Sequence, residues 1–298
     1  MSVQSVVMSG RPTVISTFAG CGGSSLGYKW AGFEELLAIE WDQNAVDTFK
    51  TNLSDVPIWQ RDIKEVTGKE ILEFTGLKPG ELDVLDGSPP CQGFSVAGKR
   101  NVNDERNDLS YEYIRLIKEL QPKVFVMENV SGLVKGKMKG KFKNIMNSLK
   151  ETGYSVGCKL MNSMYYEVAQ SRQRLIWGGV KNGQYEYPKP VSKIYNLMDV
   201  LPHIKKQNRG QFDKTWVSSR RPCYTITKTS TLLFEDNKVE QRRPTIDEIK
   251  ILSSFPKNFN FSGSYNQQWA RIGNAVMPKF MEHIAKTIKT EILEKNGI

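Results

Sequence analysis

Cysteines are few and scattered in this chain of 298 residues, and long hydrophobic runs are absent. No Cys-x-x-Cys pair occurs, which argues against a zinc site and against a disulfide scaffold. We therefore expect reduced thiols, no bound metal and a cytoplasmic location. The apolar stretches are too short for a membrane span, and the N-terminus shows no signal-peptide pattern. The cysteines are Cys21, Cys91, Cys158 and Cys223.

Acidic residues are also in deficit. The chain has 32 Asp and Glu against 42 Lys and Arg, which gives a net charge of +10 and a pI near 9.3. Such a balance often accompanies polyanionic partners such as nucleic acids, although many basic proteins bind none. The length allows a large core, either in one domain or in one domain with a smaller insertion.

The N-terminal half alternates strand and helix patterns. Residues 14–18 form a buried apolar run, a Gly-x-Gly-Gly turn begins at Gly20, and a helical pattern follows. This order is typical of a nucleotide-binding α/β unit, in which glycines let the backbone approach a ligand. A second predicted strand ends at Glu40, where such folds place a carboxylate on ribose hydroxyls. Trp41 follows and could cover the adenine or the ribose. An ordinary tight turn would explain the glycines equally well, and a solvated side chain would explain Glu40.

Three further stretches carry chemistry. Asp62 and Ile63 end a third short strand and could contact an adenine amino group and ring. The apolar run Val84-Leu85 predicts a strand, and residues 86–95 after it predict a rigid turn in which two prolines present Cys91. Cys91 would be a nucleophile if nearby cations or oriented amides favour its thiolate, whereas a buried structural thiol is the alternative.

Two later strands end in charged residues. Glu128 follows the apolar residues 124–127, at the strand end where α/β sheets bind ligands, although a Glu that caps a loop is also compatible. Arg172 and Arg174 are separated by one residue on a predicted strand, so we expect both side chains to reach one shared pocket. The lysines that alternate over residues 135–143 are most often a solvated face in such a pattern, but they could also contact phosphates.

Taken in order along almost the whole chain, these stretches resemble the motifs of the C5-cytosine DNA methyltransferase family. Each motif is modest, but eight in register are highly specific. The first five are Phe18-Ala19-Gly20-Cys21-Gly22-Gly23, Glu40-Trp41, Asp62-Ile63, Pro89-Pro90-Cys91-Gln92 and Glu128-Asn129-Val130. The last three are Gln170-x-Arg172-x-Arg174, Arg221-Pro222-Cys223-Tyr224-Thr225-Ile226-Thr227 and Arg271-Ile272-Gly273-Asn274-Ala275-Val276-x-Pro278.

The resemblance implies a Rossmann-like α/β fold with a doubly wound, mixed but mostly parallel sheet. It implies a catalytic domain of residues 1–180 and 265–298 and a small basic target-recognition domain of residues 181–264. The implied cofactor is S-adenosylmethionine, with S-adenosyl-L-homocysteine as product. The implied cofactor-binding residues are Phe18, Ala19, Gly20, Cys21, Gly22, Gly23, Glu40, Trp41, Asp62, Ile63, Gly87, Pro90, Leu109, Asn274, Ala275 and Val276.

The resemblance also implies the chemistry. C5 of cytosine is a poor nucleophile, and addition of the Cys91 thiolate at C6 makes it enamine-like. Glu128 would donate to N3 and fix the exocyclic amine, while Arg174 would hold O2. Either Arg172 or Arg174 would orient Glu128 and favour the Cys91 thiolate. The target must be flipped out of the duplex, and residues 96–107 would close over it.

The segment before the seventh motif is unusually short for the family. Only residues 203–220 remain for the variable recognition region, and residues 181–221 carry nine basic and three acidic residues. We expect a compact surface that reads a short site, or one that relies on a partner protein. The expected DNA-binding residues are Gln92, Ser95, Lys99, Arg100, Lys205, Lys206, Arg209, Arg220 and Arg221.

Two other functions stay open at this point. A tRNA-methylating branch shares these motifs, and Cys223-Tyr224-Thr225 approximates a signature of that branch. A DNA-binding regulator with an inactive pocket is the other, although Cys91, Glu128, Arg172 and Arg174 are all present. We expect a monomer that acts on double-stranded DNA, either beside a cognate restriction endonuclease or as an orphan or phage-borne enzyme.

Overall fold

The computed structural model describes residues 10–90, 109–210, 214–229, 231–295 and 297. Seven strands form the main sheet, and helices connect most of them. The strands are β1 (Thr13–Thr17), β2 (Glu34–Glu40), β3 (Ile58–Gln60), β4 (Val84–Gly87), β5 (Val124–Val130), β6 (Ser155–Asn162) and β7 (Gln173–Val180). The helices between them are α1 (Gly23–Trp30), α2 (Gln43–Asn52), α3 (Gly68–Thr75), α4 (Leu109–Leu120) and α5 (Lys139–Lys150).

The strand order is β3-β2-β1-β4-β5-β7-β6. β7 pairs antiparallel with both of its neighbours, and the other strands share one direction. The predicted fold class, a mixed and mostly parallel sheet, is confirmed. In such a sheet the carboxyl ends of the parallel strands meet at one edge, which is where open α/β folds bind ligands.

Helices cover both faces of the sheet. On one face, α1 and α9 (Pro278–Thr287) pack with Val126 and Ile284 in one buried cluster. On the other face, α3, α4 and α5 pack with Leu85 and Trp177. Full burial of one such side chain stabilises the fold by roughly 1.5–3 kcal/mol, so these two layers hold the carboxyl edge rigidly.

The remaining helices and strands lie between residues 197 and 274. They are α6 (Leu197–Val200), β8 (Ile204–Asn208), β9 (Val217–Ser218), β10 (Leu233–Asp236), α7 (Ile246–Leu252) and α8 (Tyr265–Asn274). The order β10-β8-β9 gives an antiparallel sheet, which we call the recognition sheet.

One hydrophobic cluster joins the recognition sheet to the main body. It contains Phe234 of β10 together with Phe49 of α2 and Leu26 of α1. Ser262 also accepts a hydrogen bond from Asn44 of α2 at 3.0 Å. The core is therefore continuous across residue 180, and the predicted division into residues 181–264 and the remainder stays a prediction. No helix among the described residues has the length and apolar content needed to cross a bilayer.

Candidate active site

The loop after β1 is held in a fixed shape by Glu40. Phe18, Gly20 and Gly22 have φ angles of 54°, 57° and 91°, so the loop turns through left-handed conformations. The backbone N–H of Gly20 donates to Glu40 Oε2 at 2.8 Å. The other oxygen of this buried carboxylate accepts from the N–H groups of Trp41 and Asp42 at 2.9 Å. Burial raises the pKa of Glu40.

The last motif closes against this loop. A Cβ on Gly23 would lie 2.2 Å from the carbonyl oxygen of Val276, so only glycine permits the contact. Asp42, beside the loop, pairs with Arg271 at 3.0 Å between Oδ1 and Nη1. Asn274, Ala275 and Val276 thereby lie beside the Gly-rich loop, and the ion pair of Arg271 had no role in the sequence-based prediction.

The other predicted cofactor contacts lie along the same edge. Trp41 exposes 67% of its surface, which is unusual for a tryptophan and leaves its ring available. Asp62 is exposed and caps a short 3₁₀ turn, while Ile63 beside it is buried. A Cβ on Gly87 would lie 2.4 Å from the Tyr113 ring, so packing alone requires this glycine.

This set suits S-adenosylmethionine. The predicted ribose carboxylate, an exposed indole, an exposed acid and a buried apolar side chain surround a backbone whose glycines leave little side-chain bulk. Pro90 and Leu109 are the described residues that flank positions 91–108. No cluster of three or more His, Cys, Asp or Glu side chains that could bind a metal occurs in the described ranges.

Glu128 and Arg174 form a nearly buried ion pair. Arg174 Nε lies 2.6 Å from Glu128 Oε1, and the side chains are 13% and 11% exposed. β5 and β7 bring them together, because Glu128 pairs in register with Ile176 and Val130 with Arg174. Burial lowers the pKa of Arg174, and the negative charge of Glu128 opposes this effect.

Arg172 contacts different groups, in contrast to the predicted shared pocket. It precedes β7, and its side chain is buried. Nη1 donates to the carbonyl of Ile226 at 2.8 Å, and Nη2 donates to those of Gly273 and Ala275 at 3.0 and 3.1 Å. Sequence left open which arginine orients Glu128. Of the two, Arg174 makes the direct contact, and Arg172 ties the last two motifs together.

Asn129 fixes the turn that leads to the predicted nucleophile. Its Nδ2 donates to the carbonyl of Pro89 at 3.2 Å, and its Oδ1 accepts from the N–H of Val130 at 2.8 Å. The end of β5 therefore holds the Pro89-Pro90 turn beside Glu128. Five predicted site residues, Cys91, Gln92, Ser95, Lys99 and Arg100, lie outside the described residues.

The other thiols are poor nucleophiles. Burial raises the pKa of Cys21 and of Cys158 to about 12, and it raises the pKa of Cys223 as well. A neutral thiol reacts slowly as a nucleophile, since the thiolate is the reactive form. None of the three cysteines in the described ranges is therefore suited to act as a nucleophile.

Asp86 is a buried carboxyl that sequence reasoning did not assign to the site. It lies near the end of β4, five positions before Cys91, and is 2% exposed. Tyr28 Oη donates to Asp86 Oδ1 at 3.4 Å. Burial, together with the negative charges of Glu35 and Glu128, raises the pKa of Asp86 to about 8. The sequence feature that could have indicated this role is an acidic residue within an otherwise apolar strand pattern.

The seventh motif is anchored to the segment that leads into β7. Gln170 forms a parallel bridge with Cys223, and its Oε1 accepts from the N–H of Ile226 at 3.0 Å. Arg209 lies over the Tyr224 ring at 4.4 Å. The described basic residues predicted to bind DNA, Lys205, Lys206, Arg209, Arg220 and Arg221, are all exposed.

Known proteins match this chain along most of its length. The family model of the C-5 cytosine-specific DNA methylases matches residues 12–232 and 192–290. The Type II methyltransferase M1.HphI of Haemophilus parahaemolyticus is 32% identical over 93% of this chain and 86% of its own. M.FnuDI of Fusobacterium nucleatum is 30% identical over 96% of both chains.

Solved structures share the fold. A DNA modification methyltransferase encoded in an Escherichia coli prophage superposes with a TM-score of 0.78 at 22% identity, covering 95% of this chain and all of that one. Spodoptera frugiperda DNMT2 gives 0.70 at 20% identity, over 93% and 99% of the two chains. The chain belongs to the C-5 cytosine-specific DNA methylase family, and it is a DNA (cytosine-5-)-methyltransferase that uses S-adenosylmethionine.

Proposed function

We propose that the enzyme methylates C5 of a cytosine within a short specified sequence of double-stranded DNA, with Cys91 as the covalent nucleophile. The observation that carries this proposal is the buried Glu128–Arg174 pair next to the turn that Asn129 holds. A carboxyl group oriented by a guanidinium at the carboxyl edge of the sheet can bind the Watson–Crick edge of a flipped base.

Cys91, Glu128 and Arg174 have different roles in this mechanism. The Cys91 thiolate bonds to C6 of cytosine, and the negative charge that develops at N3 is neutralised by a proton from Glu128. Arg174 orients Glu128 through its Nε, and its positive charge would favour the Cys91 thiolate. S-adenosylmethionine supplies the methyl group. Removal of the C5 proton by a base re-forms the C5=C6 double bond and expels Cys91 as a thiolate, while N3 returns its proton to Glu128.

The cofactor would lie between the Gly-rich loop and the last motif. Glu40 would accept from the ribose hydroxyls, Trp41 would cover the adenine or the ribose, and Asp62 would accept from the adenine amino group. Glu40 already accepts three backbone N–H groups, and this fixes its orientation before the cofactor binds. Arg172 is a positioning residue, because it donates to backbone carbonyls of the last two motifs.

The DNA would lie across the carboxyl edge and the recognition sheet. Lys205, Lys206, Arg209, Arg220 and Arg221 would contact phosphates and base edges. Because relatives of this chain are Type II methyltransferases, the partner we propose is a cognate restriction endonuclease or an accessory protein. One flipped base needs one pocket, which suits a monomer that works at the bacterial nucleoid in the cytosol.

Transfer of labelled methyl from S-adenosylmethionine to unmethylated genomic DNA tests the proposal. We expect transfer by the wild type, none by Cys91→Ala, and bisulfite sequencing that maps the product to one sequence context. Glu128→Gln should lower kcat by roughly 10²–10⁴-fold, as is usual for loss of a positioned proton donor.

Three outcomes would contradict the proposal. Transfer to total RNA but not to DNA would favour a tRNA substrate. DNA binding without transfer to either nucleic acid would favour an inactive regulator. Full activity of Cys91→Ala would exclude the covalent route.

A further inference from the structure

The segment between β5 and the first turns of α5 is strongly basic. Residues 131–145 contain five lysines and no acidic residue. Lys135, Lys139 and Lys143 are exposed, and none of them takes part in an ion pair within the described parts of the chain. We call these three side chains the lysine segment.

The position of these lysines is unfavourable for the helix itself. Lys139 and Lys143 lie in the first turns of α5, and its first turn has no acidic residue. The unpaired N–H groups at a helix N-terminus carry partial positive charge, so acidic residues stabilise this end and lysines destabilise it. Helix stability therefore does not explain the three lysines.

Topology places the lysine segment at the catalytic edge. β5 and β6 both run antiparallel to β7, so α5 must return from the carboxyl edge of the sheet to its amino edge. Its first turns consequently lie near the end of β5, which carries Glu128. Phe142 contacts Trp177 with ring centroids 5.5 Å apart, and Trp177 pairs in register with Met127.

The lysine segment and the recognition sheet lie on different sides of the main sheet. Ile145 and Leu149 of α5 pack in the cluster that contains α3 and α4. Phe234 of the recognition sheet packs in the cluster that contains Leu26 of α1, a helix of the opposite face. A duplex that brings a base to Glu128 therefore meets basic surface from both layers.

We propose that the lysine segment binds the phosphate backbone of the substrate duplex on the side of the target base opposite to the recognition sheet. This inference rests on the proposed DNA substrate. The contacts involve charge alone, so they add affinity equally to every DNA sequence and leave the choice of site to the recognition sheet. This added affinity would compensate for the small number of DNA contacts that a short recognition region can make.

The experiment compares two triple variants. Lys135→Gln, Lys139→Gln and Lys143→Gln together remove the lysine segment. Lys78→Gln, Lys118→Gln and Lys150→Gln together remove the same charge from exposed positions near the amino edge. Duplex affinity is measured against KCl concentration for the methylated site and for an unrelated duplex of equal length.

Loss of phosphate contacts has a defined signature. The plot of log affinity against log salt concentration has a negative slope, and each lost phosphate contact makes it shallower by roughly 0.9. Loss of three contacts should therefore make the slope of the segment variant shallower by up to roughly 2.7. Its affinity should fall equally for both duplexes, kcat at saturating DNA should not change, and its melting temperature should stay the same or rise. The control variant should keep the wild-type slope.

Failures of the inference and of the proposed function are distinguishable. Wild-type methylation of DNA together with an unchanged slope in the segment variant would overturn the inference alone. Equal slope losses in both variants would assign the effect to overall charge and also overturn it. A wild-type chain that transfers no methyl group to DNA would overturn the function on which the inference rests.

Discussion

Two arginines separated by one residue have different tasks because their neighbours differ. Arg174 lies at the start of β7, next to β5, which carries Glu128. The side chains of Arg174 and Glu128 are both nearly buried. Arg172 lies just before β7, and its guanidinium donates hydrogen bonds to three backbone carbonyls. A buried guanidinium that loses its acceptors is costly, and so are buried carbonyls that lose their donor. Replacement of Arg172 should therefore disturb the whole cleft, whereas replacement of Arg174 should act on Glu128.

Asp86 provides a test of protonation at the residue scale. Its pKa is about 8 when folded and near its ordinary value of 3.8 when unfolded. Between these values the folded chain holds a proton that the unfolded chain has released, so stability falls as pH rises from about 4 to about 8. Above about 8 both states are ionised and this effect stops changing.

Asp86→Asn should remove that slope. We expect the melting temperature of Asp86→Asn relative to the wild type to increase from pH 5 to pH 8 and then to stay constant up to pH 9. Differential scanning fluorimetry across this range measures the difference. A constant difference from pH 5 to pH 8 would show that Asp86 titrates alike in both states.

At the scale of elements, α1 determines how closely the last motif approaches the cofactor loop. Gly23 and Gly27 are four residues apart and share one helix face. Gly23 meets the carbonyl of Val276, and a Cβ on Gly27 would lie 2.7 Å from Met281 Cβ and from the Pro278 carbonyl oxygen. The two glycines thus allow α9 and the last motif to pack directly on the helix that follows the loop.

Gly27→Ala should lower the free energy of unfolding by roughly 1–3 kcal/mol, as overpacked cores usually do. Gly140→Ala is the matched control, since Gly140 is also helical but its Cβ would meet nothing within 4 Å. The control should raise stability by up to about 1 kcal/mol, because alanine favours a helix more than glycine. Urea unfolding measures both values, and equal effects of the two substitutions would contradict the packing argument.

At the scale of the whole molecule, the features that could be predicted from the sequence are those that depend on local residue patterns, such as strands and the residues at their ends. Buried apolar runs that alternate with helical patterns indicated the parallel strands, and β1, β2, β3 and β5 lie within a few residues of their predicted places. The motif residues near strand ends were predictable for the same reason, because parallel strands end at one edge. The roles of individual site residues stay predictions.

Contacts between distant segments were not predictable from one sequence. The carbonyls that bind Arg172 lie 54, 101 and 103 positions away, and nothing in the local pattern around Arg172 points to them. The continuity of the core between Phe234 and Phe49 is of the same kind. Composition indicates a basic segment between residues 181 and 221, but composition does not show where hydrophobic clusters join.

The most direct test of the covalent mechanism uses a duplex with 5-fluorocytosine at the mapped target. Fluorine cannot leave C5 as a proton does, so the step that breaks the Cys91–C6 bond is blocked. With S-adenosylmethionine present, we expect a denaturation-resistant complex of one chain and one duplex, whose cross-linked peptide contains Cys91. No such complex should form with Cys91→Ala. Absence of the adduct from an active wild type, or an adduct on another cysteine, would contradict the assignment of Cys91.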